Sequence, residues 1–215
     1  MLVWILPPSI GGIFIRVENE PIDFVIIRAG SIPNFVMDER SSLKAGVTGS
    51  DIIWESGMGK DIGEQILIEK LNPDAKKSSL YIGVTDKFYW STINPFCAYE
   101  DPVDPVKSLS GISIATKYQR ITREVLEEKS VGDVKIIPVI GTDEAVQYIL
   151  KCEGILGVLS SGKTAKANDI RILEIFYDIT VRMIQASDKM SQRDTDILND
   201  LKERIAVAVQ RRRMI

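Results

Sequence analysis

The stretch GVLSSGKT, residues 157–164, places small, hydroxyl and cationic residues at the spacing G-x-x-x-x-G-K-[ST]. Small residues allow backbone N–H groups to converge on an anion, and the dipole of a following helix adds to that attraction. Lys163 adds a positive charge, while the hydroxyls of Ser160, Ser161 and Thr164 can donate hydrogen bonds. The stretch therefore predicts a phosphate-binding loop that joins an apolar strand to a helix.

The same pattern is the signature of P-loop ATPases and kinases, which are one interpretation of this chain. In that fold the motif normally follows the first core strand, and several strand–helix units come after it. Too few residues follow Thr164 for those units. Asp178, at the end of the apolar run ILEIFYD, could imitate the acidic residue of a second nucleotide-binding strand, but it leaves no room for the remaining sheet. The topology therefore disfavours a P-loop fold, but it does not count against a phosphate-binding loop at residues 157–164.

Composition and charge exclude several classes of function. The net charge of −3 gives no general attraction to nucleic acid or to an anionic membrane, so we expect neither as a partner. The sequence contains no histidine, which excludes histidine-dependent triads and histidine-ligated zinc. Cys97 and Cys152 do not have the spacing of a metal or redox motif. The first residues are apolar, but Pro7 and Pro8 interrupt them too early for a signal peptide or a membrane span. We therefore expect a cytoplasmic protein without a signal peptide or membrane span.

Short apolar runs alternate with amphipathic segments along the chain, a pattern typical of α/β proteins. The runs that predict strands are Leu2–Leu6, Ile13–Val17, Asp23–Arg28, Ala45–Thr48, Ser79–Val84, Ser113–Ala115, Val134–Val139, Gly154–Leu159 and Ile172–Gln185, the last long enough for two strands or for one that passes between domains. The segments that predict helices are 31–40, 49–57, 119–130, 141–153 and 191–213. The prolines and aromatic residues of Thr85–Gly111 predict an interdomain connection or a surface lobe rather than part of the core.

Several stretches resemble segments of the ATP phosphoribosyltransferase family and occur in the same order. ISIATKYQRITREVLEEKS, residues 112–130, is similar to the family's R-I-A-T-K-Y-P-x-I-T-R. Residues 141–174 resemble G-S-V-E-x-A-P followed by A-D-A-I-V-D-x-V-x-T-G-x-T-L-x-x-N-G-L. FVIIRAGSIPNFV and LKAGVTGSDIIWESG, residues 24–36 and 43–57, are similar to R-x-x-D-I-P-x-Y-V and A-D-L-G-I-x-G-x-D-x-L-x-E. The resemblance covers most of residues 22–210, and the chain length fits the family's short form.

The resemblance implies an α/β fold with two lobes of the periplasmic-binding-protein type, a cleft between them and no C-terminal regulatory domain. We place residues 1–85 and 178–215 in the first lobe, and residues 86–177, with the phosphate loop, in the second. The implied reaction opens histidine biosynthesis: N1 of ATP displaces pyrophosphate from C1 of phosphoribosyl pyrophosphate (PRPP), with Mg²⁺ assisting. Such a glycosyltransferase needs no protein nucleophile, because its task is to hold two anions together and to stabilise the departing pyrophosphate.

The resemblance also assigns functional residues, but not the metal ligands. The 5′-phosphate of PRPP is assigned to the loop residues Ser160, Ser161, Gly162, Lys163, Thr164 and Ala165. Catalytic roles fall on Arg28 and Glu144, and the other candidates in the cleft are Gly49, Asp51, Lys117, Tyr118 and Thr142. Asp51 and Glu144 equally suit helix starts, whereas structural or hinge roles are favoured over ligand binding for Lys117 and Tyr118. As partners the family implies a second copy of the chain, in a homodimer or larger assembly, and a regulatory subunit that resembles a histidyl-tRNA synthetase.

Several positions depart from the family pattern and leave a second hypothesis open. The family's acidic residue that is expected to bind the ribose hydroxyls falls on Gly157. The aspartate of R-x-x-D-I-P falls on Ser31, and an arginine falls on Ser79. Each change removes a charge from the expected site. A non-catalytic relative, which binds a phosphate ligand or regulates a partner, is therefore the alternative to an active transferase.

Overall fold

The computed structural model describes residues 2–4, 13–16, 21–60, 62–65, 78–95, 104–140 and 151–212. The chain forms two compact units. The first comprises residues 1–75 and 180–215, and the second comprises residues 76–179. Within the described ranges, no helix combines the length and apolar character needed to cross a membrane.

The described residues of the first unit form two three-stranded sheets. Its strands are β1 (Leu2–Trp4), β2 (Ile13–Arg16), β3 (Ile22–Ile26), β4 (Ala45–Gly49), β5 (Glu64–Gln65) and β11 (Val181–Gln185). In one sheet β3 lies between a parallel β1 and an antiparallel β2. In the other, β11 lies between β4 and β5 and is antiparallel to both. Sequence patterns did not predict β5, because two polar residues carry no strand signal.

The described part of the first unit contains three α-helices. They are α1 (Ile32–Met37), α2 (Ser50–Glu55) and α6 (Gln192–Arg212). Helix α6 buries Leu198 and Leu201 in a cluster with Val47 and Met183. The predicted helix over 191–213 is therefore confirmed, and its apolar face forms part of the core of this unit.

The start of α6 is fixed by a reciprocal cap. The hydroxyl of Ser191 accepts a hydrogen bond from the backbone N–H of Asp194 at 3.2 Å. In return, one carboxylate oxygen of Asp194 accepts from the N–H and the hydroxyl of Ser191, at 3.0 and 2.7 Å. The same oxygen accepts from the ammonium group of Lys44, and the Asp194 side chain is only 7% exposed. This arrangement is a capping box that also carries a buried ion pair.

The second unit is built on one five-stranded sheet in the order β10-β6-β9-β7-β8. Its strands are β6 (Ser78–Thr85), β7 (Ser113–Thr116), β8 (Lys135–Pro138), β9 (Gly154–Leu159) and β10 (Ile170–Ile179). β7, β8 and β9 run parallel, whereas β6 is antiparallel to both β9 and β10. Helix α4 (Gln119–Glu128) connects β7 to β8 and buries Ile121, Val125 and Leu126, as its sequence predicts.

The structure corrects the prediction of a surface lobe or connection over 85–111. The described part of this segment contains α3 (Asp86–Phe88), a π-helical turn (Tyr89–Ile93) and a 3₁₀ turn (Pro105–Leu109). Tyr89, Val106 and Leu109 are fully buried. Pro105 begins its turn, where its missing N–H costs nothing, so the prolines here do not prevent burial of their apolar neighbours.

Candidate phosphate-binding site

At one edge of the five-stranded sheet, several strands begin or end with polar residues or are followed by them. The carboxyl ends of β7, β8 and β9 meet there because these strands are parallel. The first residue of β6, Ser78, and the last of β10, Ile179, pair at the same edge. Ligands of open α/β sheets bind outside the carboxyl ends of parallel strands. This edge is therefore the natural place for a ligand of the second unit.

The predicted phosphate loop lies at this edge. β9 ends at Leu159, and Gly162 precedes a short helix, α5 (Lys163–Ala167). Ala165 is buried in a cluster with Tyr81 and Ile155, so α5 is anchored on the sheet. The hydroxyl and cationic residues of the loop are exposed, namely Ser160, Ser161, Lys163 and Thr164. The buried Ala165 thus attaches α5 to the sheet, while the polar residues of the loop face solvent.

A small cavity opens beside the loop. Its volume is about 100 Å³, and it is lined by Tyr81, Leu159 and the loop residues Ser160, Ser161, Gly162 and Thr164. A cavity of this size holds a few water-sized groups, which is the scale of one phosphate group. The hydroxyls of the lining can donate to an anion there.

Two hydrogen bonds connect neighbouring strands to this site. The hydroxyls of Ser78 and Ser160 lie 2.7 Å apart, so the start of β6 holds the first loop residue. The hydroxyl of Ser79 donates to a carboxylate oxygen of Asp178 at 2.7 Å. Of these four residues, sequence reasoning selected only Ser160 for the phosphate site, and it considered Asp178 only as part of a P-loop fold. The available signals were the polar pair at the start of β6 and the acid that ends the apolar run of β10.

Lys117 and Tyr118 follow β7 at the same edge but play different parts. Lys117 is exposed, whereas Tyr118 is 1% exposed. The Thr116 hydroxyl accepts from the N–H of Tyr118 at 2.9 Å, and the carbonyl of Tyr118 accepts from Thr122 at 2.6 Å. Tyr118 is thus built into the turn before α4, and Lys117 is the residue of the pair that faces solvent.

The candidates Arg28, Gly49 and Asp51 lie in the first unit. Arg28 is exposed just after β3, and Gly49 ends β4 and caps α2. Asp51 is buried in the first turn of α2. The Thr48 hydroxyl donates to the carbonyl of Ala29 at 3.1 Å, so the end of β4 lies beside the turn that follows Arg28.

Thr142 and Glu144, with most of the helix predicted over 141–153, lie outside the described residues. Among the described residues, no group of three or more Asp, Glu, Cys or His side chains could hold a metal ion. The described part of the chain therefore offers no protein cage for Mg²⁺.

Gly162 gives a direct test of the loop geometry. Its φ of +70° lies in the left-handed region, where a side chain is strained. We expect Gly162→Ala to lower the free energy of unfolding by about 1 kcal/mol, measured by urea denaturation. Gly132→Ala is the matched control, because Gly132 is not left-handed and nothing lies near the added methyl. Equal stability of the two variants would contradict the left-handed turn.

Comparisons with known proteins agree with the resemblance to one family. The family model described as HisG, ATP phosphoribosyltransferase, matches residues 28–207. An ATP phosphoribosyltransferase of Clostridium acetobutylicum is 31% identical over 184 residues, which are 84% of this chain and 74% of that protein. One from Metallosphaera sedula is 28% identical over 180 residues, and the match spans only 55% of that longer protein.

Solved structures support the fold class. A chain of the ATP phosphoribosyl transferase (HisG:HisZ) complex from Thermotoga maritima superposes with a TM-score of 0.69 at 16% identity, covering 98% of this chain and 100% of that one. A putative periplasmic sulfonate-binding protein from Methylobacillus flagellatus superposes with a TM-score of 0.54 at 12% identity, covering 98% of this chain and 67% of that one. The predicted α/β fold of the periplasmic-binding-protein type is confirmed.

Proposed function

Because the chain belongs to the ATP phosphoribosyltransferase family, we propose that it joins ATP and PRPP to give phosphoribosyl-ATP and pyrophosphate, the first step of histidine biosynthesis. A bond forms between N1 of the adenine and C1 of the ribose. The bond from C1 to pyrophosphate breaks, and pyrophosphate leaves with the bonding electrons. The adenine loses one proton to balance the new bond.

The observation that carries this proposal is the loop at the carboxyl end of β9. Ser160, Ser161 and Thr164 line a cavity at one edge of the sheet, and the exposed Lys163 precedes Thr164 in the same loop. These groups would bind the 5′-phosphate of PRPP. Ser78 would keep the Ser160 hydroxyl in place through its 2.7 Å contact. A fixed 5′-phosphate orients C1 for attack, which is how such an enzyme gains rate without a nucleophile of its own.

The other assigned residues have roles that follow from their charge. We assign Arg28 to the phosphates of a substrate, because it is exposed just after β3 and permanently charged. Lys117, also exposed, is a second cation for the departing pyrophosphate. Glu144 and Thr142 retain the catalytic and binding roles that the resemblance gives them. Gly49 and Asp51, at the start of α2, would keep the binding roles that the resemblance gives them.

We propose that Mg²⁺ enters with PRPP, bound by the pyrophosphate. This ion usually keeps several waters and binds substrate phosphates rather than a dedicated protein cage. That habit is compatible with the absence of an acidic cluster among the described residues. The metal would neutralise part of the charge on the leaving group.

The family relationship also supports a proposal about partners. The Thermotoga maritima chain that superposes on this one belongs to a complex of HisG and HisZ. We propose that this chain also works with a regulatory subunit, one of the histidyl-tRNA-synthetase type, and that it forms a homodimer or larger assembly. A cytoplasmic location would give it access to ATP and PRPP.

The proposal is tested by incubating the purified chain with ATP, PRPP and Mg²⁺, alone and with a regulatory subunit from the same source. Chromatography of labelled ATP should reveal phosphoribosyl-ATP, and omission of PRPP should abolish the product. Binding of PRPP without turnover, even with the subunit present, would instead favour the non-catalytic relative. Hydrolysis of ATP in the absence of PRPP would favour a kinase or ATPase.

A further inference from the structure

Strand register shows which side chains of β9, β6 and β10 lie on the same face of the five-stranded sheet as the phosphate loop. Ser79 pairs with Leu159 of β9 on one side and with Asp178 of β10 on the other. Directly opposed residues of an antiparallel pair place their side chains on the same face. Leu159 packs against the cluster that contains Ala165 of α5. Leu159, Ser79 and Asp178 therefore form a row on the face that carries α5.

Along this face, one carboxylate is present on the three strands β9, β6 and β10. The β9 positions are Ile155, Gly157 and Leu159, and the β6 positions are Ser79, Tyr81, Gly83 and Thr85. The β10 positions are Ile170, Ile172, Ile175 and Asp178. Gly157, next to the loop, contributes no side chain. Asp178 is therefore the acid of these strands that shares a face with the phosphate loop.

The carboxylate of Asp178 is held in place yet accessible. One of its oxygens accepts the 2.7 Å hydrogen bond from Ser79, and the residue is exposed. No cation of the described part of the chain pairs with it. Its Cα lies two inter-strand spacings from that of Leu159, about 10 Å. A ribose ring that extends from a phosphate in the loop, together with the aspartate side chain, can cover that span.

A ligand with a phosphate and a ribose needs an acceptor for the ribose hydroxyls, as well as donors for the phosphate. The loop provides donors and a cation, and these suit the phosphate alone. An ionised carboxylate only accepts, and its two oxygens can receive two neighbouring hydroxyls. Asp178 supplies this missing acceptor on the correct face.

We propose that Asp178, oriented by Ser79, binds the 2- and 3-hydroxyls of the ribose whose 5-phosphate occupies the loop. The inference rests on the proposed function, because it presumes a phosphoribosyl ligand. It assigns the ribose contact to β10, although β9 carries the loop. It also gives Ser79 a positioning role, since its hydroxyl fixes the carboxylate.

The test compares ribose 5-phosphate with 2-deoxyribose 5-phosphate by calorimetry in the absence of metal. The wild-type chain should bind ribose 5-phosphate about tenfold more tightly, because the deoxy sugar loses a hydrogen bond to a charged acceptor. Asp178→Asn should lower the affinity for ribose 5-phosphate about tenfold and abolish the discrimination. Its affinity for inorganic phosphate should not fall. Asp133→Asn is the matched control, an exposed acid of the same unit in the turn before β8.

The possible failures are distinguishable. If wild-type chain binds neither sugar phosphate, the proposed function fails and this inference falls with it. If wild-type chain binds ribose 5-phosphate and Asp178→Asn binds and discriminates as well, the inference alone is wrong. If the variant loses affinity only for PRPP with Mg²⁺, the carboxylate acts on the metal or pyrophosphate, which also overturns the inference. Circular dichroism of each variant verifies that it is folded.

Discussion

Replacement of Lys163 and Thr164 together by alanine should lower the affinity for PRPP about a hundredfold or more, without unfolding the chain. A hydrogen bond to a charged group contributes about 1.5–3 kcal/mol, and 1.4 kcal/mol corresponds to a factor of ten in affinity. Both side chains are exposed, so their truncation removes ligand contacts and no core packing. Calorimetric titration with PRPP and Mg²⁺ measures the loss.

Lys166→Ala is the matched control for that double variant. Lys166 is an exposed lysine of the same short helix, so its removal changes the net charge without removing a group of the G-K-T triplet. We expect a change of less than about threefold, since exposed charges at a distance are screened. A double variant that binds PRPP as tightly as the Lys166→Ala chain would show that the loop does not hold the phosphate.

The second large effect is on stability. Asp194→Ala should lower the free energy of unfolding by about 3 kcal/mol, measured by urea denaturation. The substitution leaves Lys44, whose side chain is 23% exposed, without its buried partner, a loss of about 3–5 kcal/mol for a fully buried pair. It also removes the cap interaction with Ser191, worth about 1 kcal/mol. Because Lys44 is partly exposed, losing this ion pair costs less than losing a fully buried one, and the total decrease in the free energy of unfolding is about 3 kcal/mol.

The same group predicts a pH dependence with a definite sign. The hydrogen bond from Lys44, which has the larger effect, and those from Ser191 hold the pKa of the Asp194 carboxyl well below its ordinary value. The stabilisation is therefore complete above the ordinary value for aspartate, about 3.9, and decreases as the pH falls below it. Wild-type chain should lose stability more steeply than Asp194→Ala below about pH 4.

Asp200→Ala provides the control for both measurements. Asp200 lies in the same helix, is exposed and pairs only at the surface with Arg204 at 3.3 Å. Such pairs contribute about 0.3–0.5 kcal/mol. If Asp194→Ala were no more destabilising than Asp200→Ala, the capping pair would not carry the stability assigned to it.

Local sequence signals predicted the elements that depend on neighbouring residues. The apolar run of β9, the small residues after it and the apolar spacing in α4 each specify their structure within a few positions, and all three are confirmed. The α/β class was predicted from alternating apolar runs and amphipathic segments, and the periplasmic-binding type was predicted through resemblance, because the order and spacing of several motifs carry more information than any one of them. The two strands β10 and β11 within 170–185 were left open, since only the change of sheet at Thr180 separates them.

The parts that sequence could not supply depend on long-range pairing. The position of Asp178 opposite Ser79, and of Ser79 opposite Leu159, follows from strand register, which no local pattern encodes. Burial of Val106 and Leu109 among prolines was missed for a related reason, because composition suggested a loop. Tyr118 was left between a site and a structural role, and its burial favours the structural one.

The most direct test of the central claim is a calorimetric titration of the intact chain with PRPP and Mg²⁺, with ATP titrated separately. The proposal predicts saturable binding of PRPP, weakened by competing ribose 5-phosphate and lost when Lys163 and Thr164 are replaced. Absence of PRPP binding while ATP binding is intact would contradict a phosphoribosyl site at residues 160–164. That result would instead favour the interpretation of G-x-x-x-x-G-K-T as the nucleotide-binding motif of a P-loop ATPase or kinase.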